Sequence, residues 1–154
     1  GNDSYGHDIE TAFLLIEAAD ALGLSGEAAV RSRARQIADH ALAYGWDEVH
    51  GGFYDAGVPG GAATNKEKVW WTQAEGLNAL SLMDRLYGKE TDRYRKALVR
   101  QWEFIAKHQV DATNRGWHTS VGESGIAKSG QSKSDAWKDP YHQGRALFEL
   151  LFRH

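Results

Sequence analysis

Hydrophobic positions along the chain fall into five stretches with helical spacing. The first runs from His7 to Leu22 and stops at Gly23. Its apolar residues (Ile9, Phe13, Leu14, Leu15, Ile16, Ala18, Ala19, Leu22) go nearly all the way round, which predicts burial on most sides. The second starts near Ser25 and ends before Gly45. Val30, Ala34, Ile37, Ala41 and Tyr44 make one stripe, and Arg31, Arg35 and Asp39 mark the wet face. The third, Glu67 to Tyr87, is again largely apolar and is closed by Gly88. The fourth, Thr91 to Val110, sets Tyr94, Leu98, Trp102 and Ile105 against Arg95, Arg100 and Glu103. The fifth follows Pro140 and is apolar through Leu147, Phe148, Leu150, Leu151 and Phe152. Mostly apolar helices thus alternate with amphipathic ones. A simple bundle would make most of its helices amphipathic. The alternation predicts an all-α fold of two layers, an inner set packed on both sides and an outer set facing water.

The chain also repeats. Asp47-Glu-Val-His-Gly-Gly52-Phe53-Tyr54 aligns with Asp111-Ala-Thr-Asn-Arg-Gly116-Trp117-His118 at an offset of 64 residues. Both segments follow an amphipathic helix, and both place a glycine before an aromatic in a turn or short hairpin. The inner helices carry a matching register: His7-x-x-Glu10, Thr72-x-x-Glu75 and His142-x-x-Arg145. A repeated unit of inner helix, outer helix and hairpin loop predicts a toroid of helical hairpins, of which the chain holds about two and a half units. The segments from Gly45 to Lys66 and from Asp111 to Pro140 are long and rich in Gly, Ser and Asn. They are expected together on one rim, near the open ends of the inner helices.

Composition narrows the function without naming it. One domain covering residues 1–154 accommodates the length. A net charge of -3 with no basic block argues against nucleic acid or an anionic membrane as partner. No apolar run approaches a membrane span. No signal peptide is read, although the chain opens mid-motif. With no cysteine, disulfides, thiolate catalysis and Cys–zinc sites are excluded, and a cytoplasmic location is the expectation. Six tryptophans and seven histidines stand out in so short a chain. Sugars stack their apolar faces on aromatic rings and hydrogen-bond at the rim, so tryptophans are candidate platforms as well as core residues.

The starts of the inner helices carry the chemistry. His7 and Glu10 share a helix face, and so do His142 and Arg145. If the helices line one axis, two imidazoles face a common cavity from different walls. That arrangement suits removing a proton from one face of a carbon and delivering one to the other, because imidazole titrates near neutral pH. Glu10 could accept a hydrogen bond from His7, and Arg145 could stabilise a developing enediolate; alternatively the two form a structural ion pair. A metal site needs three or four converging ligands, and only His7, Glu10 and His142 could supply them, so no metal and no cofactor is expected. A hydrolase would require a carboxylate pair, for which Glu10 and Glu75 are the inner-helix candidates. A non-catalytic, carbohydrate-binding remnant is a third reading. His40 and His108 sit in last turns of outer helices, where positive charge suits the helix end. His50 falls in a turn and His154 at the chain terminus; none of these four receives a role.

Three strings make a resemblance specific. Ser4-Tyr-Gly-His-Asp-Ile-Glu10, Lys68-Val-Trp-Trp-Thr-Gln-Ala-Glu75 and Trp137-Lys-Asp-Pro-Tyr-His-Gln-Gly-Arg145, followed by Glu149, resemble in order and spacing the motifs of the cellobiose 2-epimerase branch of the N-acylglucosamine 2-epimerase family. The resemblance implies an (α/α)6 barrel, of which this chain would be the C-terminal part. It implies epimerisation at C2 of an open-chain reducing sugar, such as the reducing-end glucose of cellobiose, through a cis-enediolate. An N-acylglucosamine epimerase or a mannose–fructose isomerase is the related alternative. By resemblance, His7 and His142 are the acid–base pair and Glu10 supports the first. Trp70, Trp137 and, in its loop, Trp117 contact sugar, while His118 stands where relatives often carry a larger aromatic. Family chains are more than twice as long. A missing N-terminal half would supply further site residues, and the half toroid would otherwise self-associate through its cut faces.

Overall fold

The computed structural model describes residues 2–152; His154 lies outside them. Five α-helices appear where hydrophobic spacing places them: α1 (Tyr5–Ala21), α2 (Ala28–Tyr44), α3 (Trp70–Tyr87), α4 (Arg93–Phe104) and α5 (Tyr141–Phe152). The predicted end of the fourth helix, up to Val110, is instead a π-helical turn over Ile105–Gln109. Five short strands accompany them: β1 (Asp3–Ser4), β2 (Ala56–Gly57), β3 (Ala63–Asn65), β4 (Lys68–Val69) and β5 (Ser120–Val121). β1, β2 and β3 form one antiparallel sheet, and β4 pairs with β5 in another. Since β1 runs into α1 and β4 into α3, the sheets tie the long loops to the N-terminal ends of inner helices.

α1, α3 and α5 form the inner layer, α2 and α4 the outer. α3 packs on α1, α4 and α5, and every residue from Thr72 to Met83 is buried. One core cluster joins Ile9, Phe13, Ile16, Ala38, Leu80 and Tyr94; the other joins Trp70, Leu77, Ile105, Trp117 and Ala146. No helix among the described residues is long and apolar enough to cross a membrane.

Two expectations change. The buried positions of α4 are Tyr94, Ala97, Gln101 and Phe104, while Trp102 is 45% exposed. Gln101 lies inside because its amide donates to the Gln73 carbonyl at 2.9 Å, a partner that apolar patterning does not register. α5, expected to be enclosed, fully buries only Ala146; Phe148, Leu151 and Phe152 stand exposed. α5 packs on α3 alone among the helices with extensive contact, so the other flank of the arc is bare.

The 64-residue repeat holds at atomic level. Trp46 bridges Phe53 as Val110 bridges Trp117. The Asp47 amide donates to the Gly52 carbonyl as Asp111 does to Gly116. Asp47 Oδ1 accepts from the amides of Val49 and His50, and Asp111 Oδ1 from those of Thr113 and Asn114. Both turns need left-handed backbone: Gly51 and Gly52 at φ 78° and 86°, Arg115 and Gly116 at 63° and 73°.

The first of these loops is locked by a buried ion pair. The Lys68 ammonium donates to Asp47 Oδ2 at 2.7 Å, to the Gly51 carbonyl at 2.6 Å and to the Glu123 carbonyl at 2.8 Å. Both charged side chains are buried. Burial would raise the Asp47 carboxyl, but Lys68 and the amides of His50 and Val49 outweigh it and hold it well below the carboxylate range. Removing one member of such a pair strands the other, so Lys68→Met should cost roughly 3–5 kcal/mol in urea unfolding, whereas exposed Lys66→Met should leave stability nearly unchanged. Because the Asp47 carboxyl is depressed in the fold, its contribution is present above about pH 4 and lost below it. The stability gap between wild type and Asp47→Asn should therefore narrow on acidification; a gap constant from pH 7 to 3 would contradict this.

Candidate functional site

The N-terminal ends of the three inner helices meet at one cleft. Its volume is about 190 Å³, and its walls are His7 and Glu10 of α1, Trp70 and Trp71 of α3, His142 of α5, and Trp137 from the loop before it. Ligand pockets commonly span about 300–1,000 Å³, so this cleft is small for one. A groove of about 650 Å³ lies elsewhere, beside Trp46 and α4. Its cations are already paired, Arg93 with Asp39, Arg95 with Asp84, Lys96 with Asp92 and Arg100 with Glu48.

Trp71 stands between the two histidines. Its ring centroid is 4.9 Å from that of His7 and 5.7 Å from that of His142. Close helix approach makes this possible, since a Cβ at Gly6 of α1 would collide with the Trp71 ring and the Thr72 hydroxyl. Each imidazole is held at Nδ1. His7 shares a 2.8 Å hydrogen bond with the Ser4 hydroxyl, the residue just ahead of α1. His142 lies 2.5 Å from Glu75 Oε1. A carboxylate accepts there, so the Nδ1 proton is fixed on His142 and Nε2 is left for chemistry.

The sequence pairing of Glu10 with His7 differs from the geometry. Glu10 Oε1 accepts from Arg145 at 2.9 Å, the ion-pair alternative. The same Arg145 nitrogen donates to Glu75 Oε1 at 2.6 Å. One guanidinium therefore ties α1, α3 and α5 together. Burial would lower its proton affinity, but Glu75 and Glu10 outweigh that and raise it. The Arg145 Cζ also lies 5.0 Å from the Phe13 ring and 4.6 Å from the Tyr141 ring.

Spacing alone did not single out Trp71 or assign Glu75 to His142. Their signal lay in Lys68-Val-Trp-Trp-Thr-Gln-Ala-Glu75, where Glu75 occupies the register of Glu10 and Arg145. Of the predicted sugar contacts, Trp70 and Trp137 line the cleft, Trp137 with 88% of its surface exposed. Trp117 is packed in the core cluster with Trp70 and is not a lining residue.

Two groups of described residues bring metal-type donor atoms within 4.8 Å of one another: Glu10, Glu75 and His142, and Asp3, Asp8 and His40. The first differs from the His7, Glu10 and His142 set weighed from sequence, and Arg145 is the cation between its carboxylates. In the second, His40 Nδ1 faces Asp8 at 2.9 Å and Nε2 faces Asp3 at 3.4 Å, so its two nitrogens address different carboxylates. A glycosidase-type reading fares poorly too. Glu75 is fully buried and engaged by His142, Arg145 and the Asn78 amide, which leaves it no approach to a glycosidic oxygen.

The sequence pattern described as N-acylglucosamine 2-epimerase (GlcNAc 2-epimerase) matches residues 4–146. The cellobiose 2-epimerase of Bacteroides fragilis is 35% identical over 152 residues, covering 96% of this chain and 37% of that protein. A crystal structure of D-mannose isomerase superposes with a TM-score of 0.87 at 28% identity, over 99% of this chain and 37% of the other. The cellobiose 2-epimerase of Bacillus thermoamylovorans gives 0.84 at 26%, over 99% and 38%. The chain thus spans little more than a third of the relatives it matches, and its arc of helices is part of their (α/α)6 barrel.

If Glu75 holds both His142 and Arg145, Glu75→Ala should destabilise the chain by roughly 1–3 kcal/mol, because it strips one charged partner from a half-buried guanidinium that keeps only Glu10. It should also abolish the Nδ1–H tautomer of His142 in side-chain nitrogen NMR, while Glu10→Ala leaves that tautomer intact. An unchanged His142 spectrum in Glu75→Ala would contradict the assignment.

Proposed function

The chain belongs to the N-acylglucosamine 2-epimerase family, and on that premise we propose that its cleft moves a proton at C2 of an open-chain reducing sugar. The observation that carries the reading is the pair of imidazoles, His7 and His142, flanking Trp71 in one cleft with Nδ1 of each engaged. An Nε2 atom is thereby available on either side of a bound carbon. One histidine takes the C2 proton, whose electron pair moves into the C1 carbonyl to give a cis-enediolate. As the carbonyl re-forms, C2 takes a proton on the opposite face from the other histidine, which inverts C2. Arg145 does not itself line the cleft but is paired with Glu10 of its wall, and it is the cation assigned to the charge that develops on the sugar oxygens. Trp70 and Trp137 supply stacking surface.

The proposed substrate is a β-1,4 disaccharide such as cellobiose, epimerised at its reducing end, with the remainder of the barrel completing the pocket. The same enediolate reprotonated at C1 would instead interconvert an aldose and a ketose. That second reading is favoured by the likeness to D-mannose isomerase.

Incubation with cellobiose in D2O tests the proposal, using both the chain alone and the chain exchanged for its counterpart in the Bacteroides fragilis enzyme. Deuterium at C2 with a mannose-ended product is expected of the assembled barrel; a ketose product would select the second reading. His142→Ala should lower the exchange rate by about 10²- to 10⁴-fold. Full activity in that variant would refute the role given to His142.

A further inference from the structure

Lys68 and Lys138 hold the same place in the inner-helix repeat, four residues before Thr72 and His142 respectively. Both are buried, and both reach back to the hairpin loop that precedes them. Their charges are met differently. Lys68 has Asp47. The equivalent of Asp47 in the second loop, Asp111, is engaged by Lys133. Lys138 donates to two carbonyls, Trp117 at 3.0 Å and Lys133, and its ammonium lies 5.7 Å from the centre of the Trp70 ring. The backbone amides of Trp137 and Lys138 both donate to Asp135 Oδ1, at 2.8 and 2.9 Å, so the base of Trp137 is set by the same turn.

A buried ammonium faced by carbonyl dipoles and an aromatic ring, rather than by a carboxylate, is a costly way to hold a loop if holding is its whole task. Lys68 shows the cheaper solution one repeat earlier. What Lys138 reaches that Lys68 does not is a cleft-lining indole. We propose that Lys138 is a positioning residue for the aromatic wall of the cleft, fixing Trp70 through its charge, Trp117 through its hydrogen bond and Trp137 through its backbone. The proposal rests on the sugar-platform reading of Trp70 and Trp137. Trp117, buried behind the cleft lining beside Trp70, then contributes as the anchor against which Lys138 is braced.

The test uses the 154-residue chain labelled with 5-fluorotryptophan. Lys138→Met removes charge and donors together; Lys138→Gln keeps donors and removes the charge. Fluorine spectra should show Trp70 and Trp117 displaced in Lys138→Met and Trp70 displaced in Lys138→Gln, with Trp46 and Trp102 unmoved in both. An unmoved Trp70 in both variants overturns the proposal. Should the Met variant fail to fold, the wild type supplies an independent measurement. Burial holds the Lys138 ammonium below the ordinary lysine range, with Lys133 adding to the effect and Asp135 opposing it. The Trp70 signal should then titrate below about pH 10.4, a transition absent from Lys138→Gln; a flat Trp70 signal overturns the proposal.

In the barrel carrying this segment, Lys138→Gln should raise KM for cellobiose on the order of tenfold with kcat little changed, as expected of a lost buried cation–π contact. A displaced Trp70 with unaltered KM would overturn the functional half of the proposal. Absence of C2 exchange in the unmodified barrel would instead count against the epimerase reading and leave the fluorine result standing.

Discussion

Arg145 joins the three inner helices at a single guanidinium. It reaches Glu10 on α1 and Glu75 on α3 from its own position on α5. Glu75 is fully buried, and a carboxylate in that setting is tolerable only when paired and hydrogen-bonded. The pairing decides more than stability. Glu75 also accepts from His142, so the ion pair that closes the inner layer orients one of the two imidazoles. His7 is set by a shorter-range device, the Ser4 hydroxyl at the end of β1, and β1 is in turn held by β2. Helix closure and imidazole geometry are therefore one constraint on the α5 side and a local one on the α1 side.

The loops belong to the same construction. Each long segment begins with an Asp-anchored turn in left-handed backbone, bridges an aromatic back to the preceding helix end, and is locked by a lysine that stands two or three residues ahead of the next inner helix. The loops are thus braced frames, hydrogen-bonded at their turns and paired ahead of the inner helices. The tryptophans of the cleft are attached to these frames, Trp70 directly after β4 and Trp137 at the Asp135 turn.

Much of this was legible in the sequence, and the reason is periodicity. Five helices, the two layers and the 64-residue loop repeat all rest on local spacing, which the structure reproduces to within a few residues at most ends. What was not legible depends on partners far apart in the chain. Glu10 finds Arg145 across 135 residues, and Glu75 finds His142 across 67. Spacing could show only that each of these residues faces inward. Gln101 displaced Trp102 from the buried stripe because an amide can satisfy the Gln73 carbonyl, and Trp117 went to the core because the repeat makes it the counterpart of buried Phe53. The bare flank of α5 has a different origin. Its apolar pattern fits an inner helix, and in the solved relatives the ring continues well beyond the portion that this chain matches.

On the proposed reaction, His7 and His142 serve opposite faces of one carbon. This is tested most directly by hydrogen washout from C2-deuterated substrates in the barrel carrying this segment. With His7→Asn, one C2 epimer should still lose deuterium to water while the other is inert; with His142→Asn, the preference should reverse. If both variants lose washout from both epimers equally, or if either variant retains both, the two histidines are not a two-faced proton-transfer pair and the account fails.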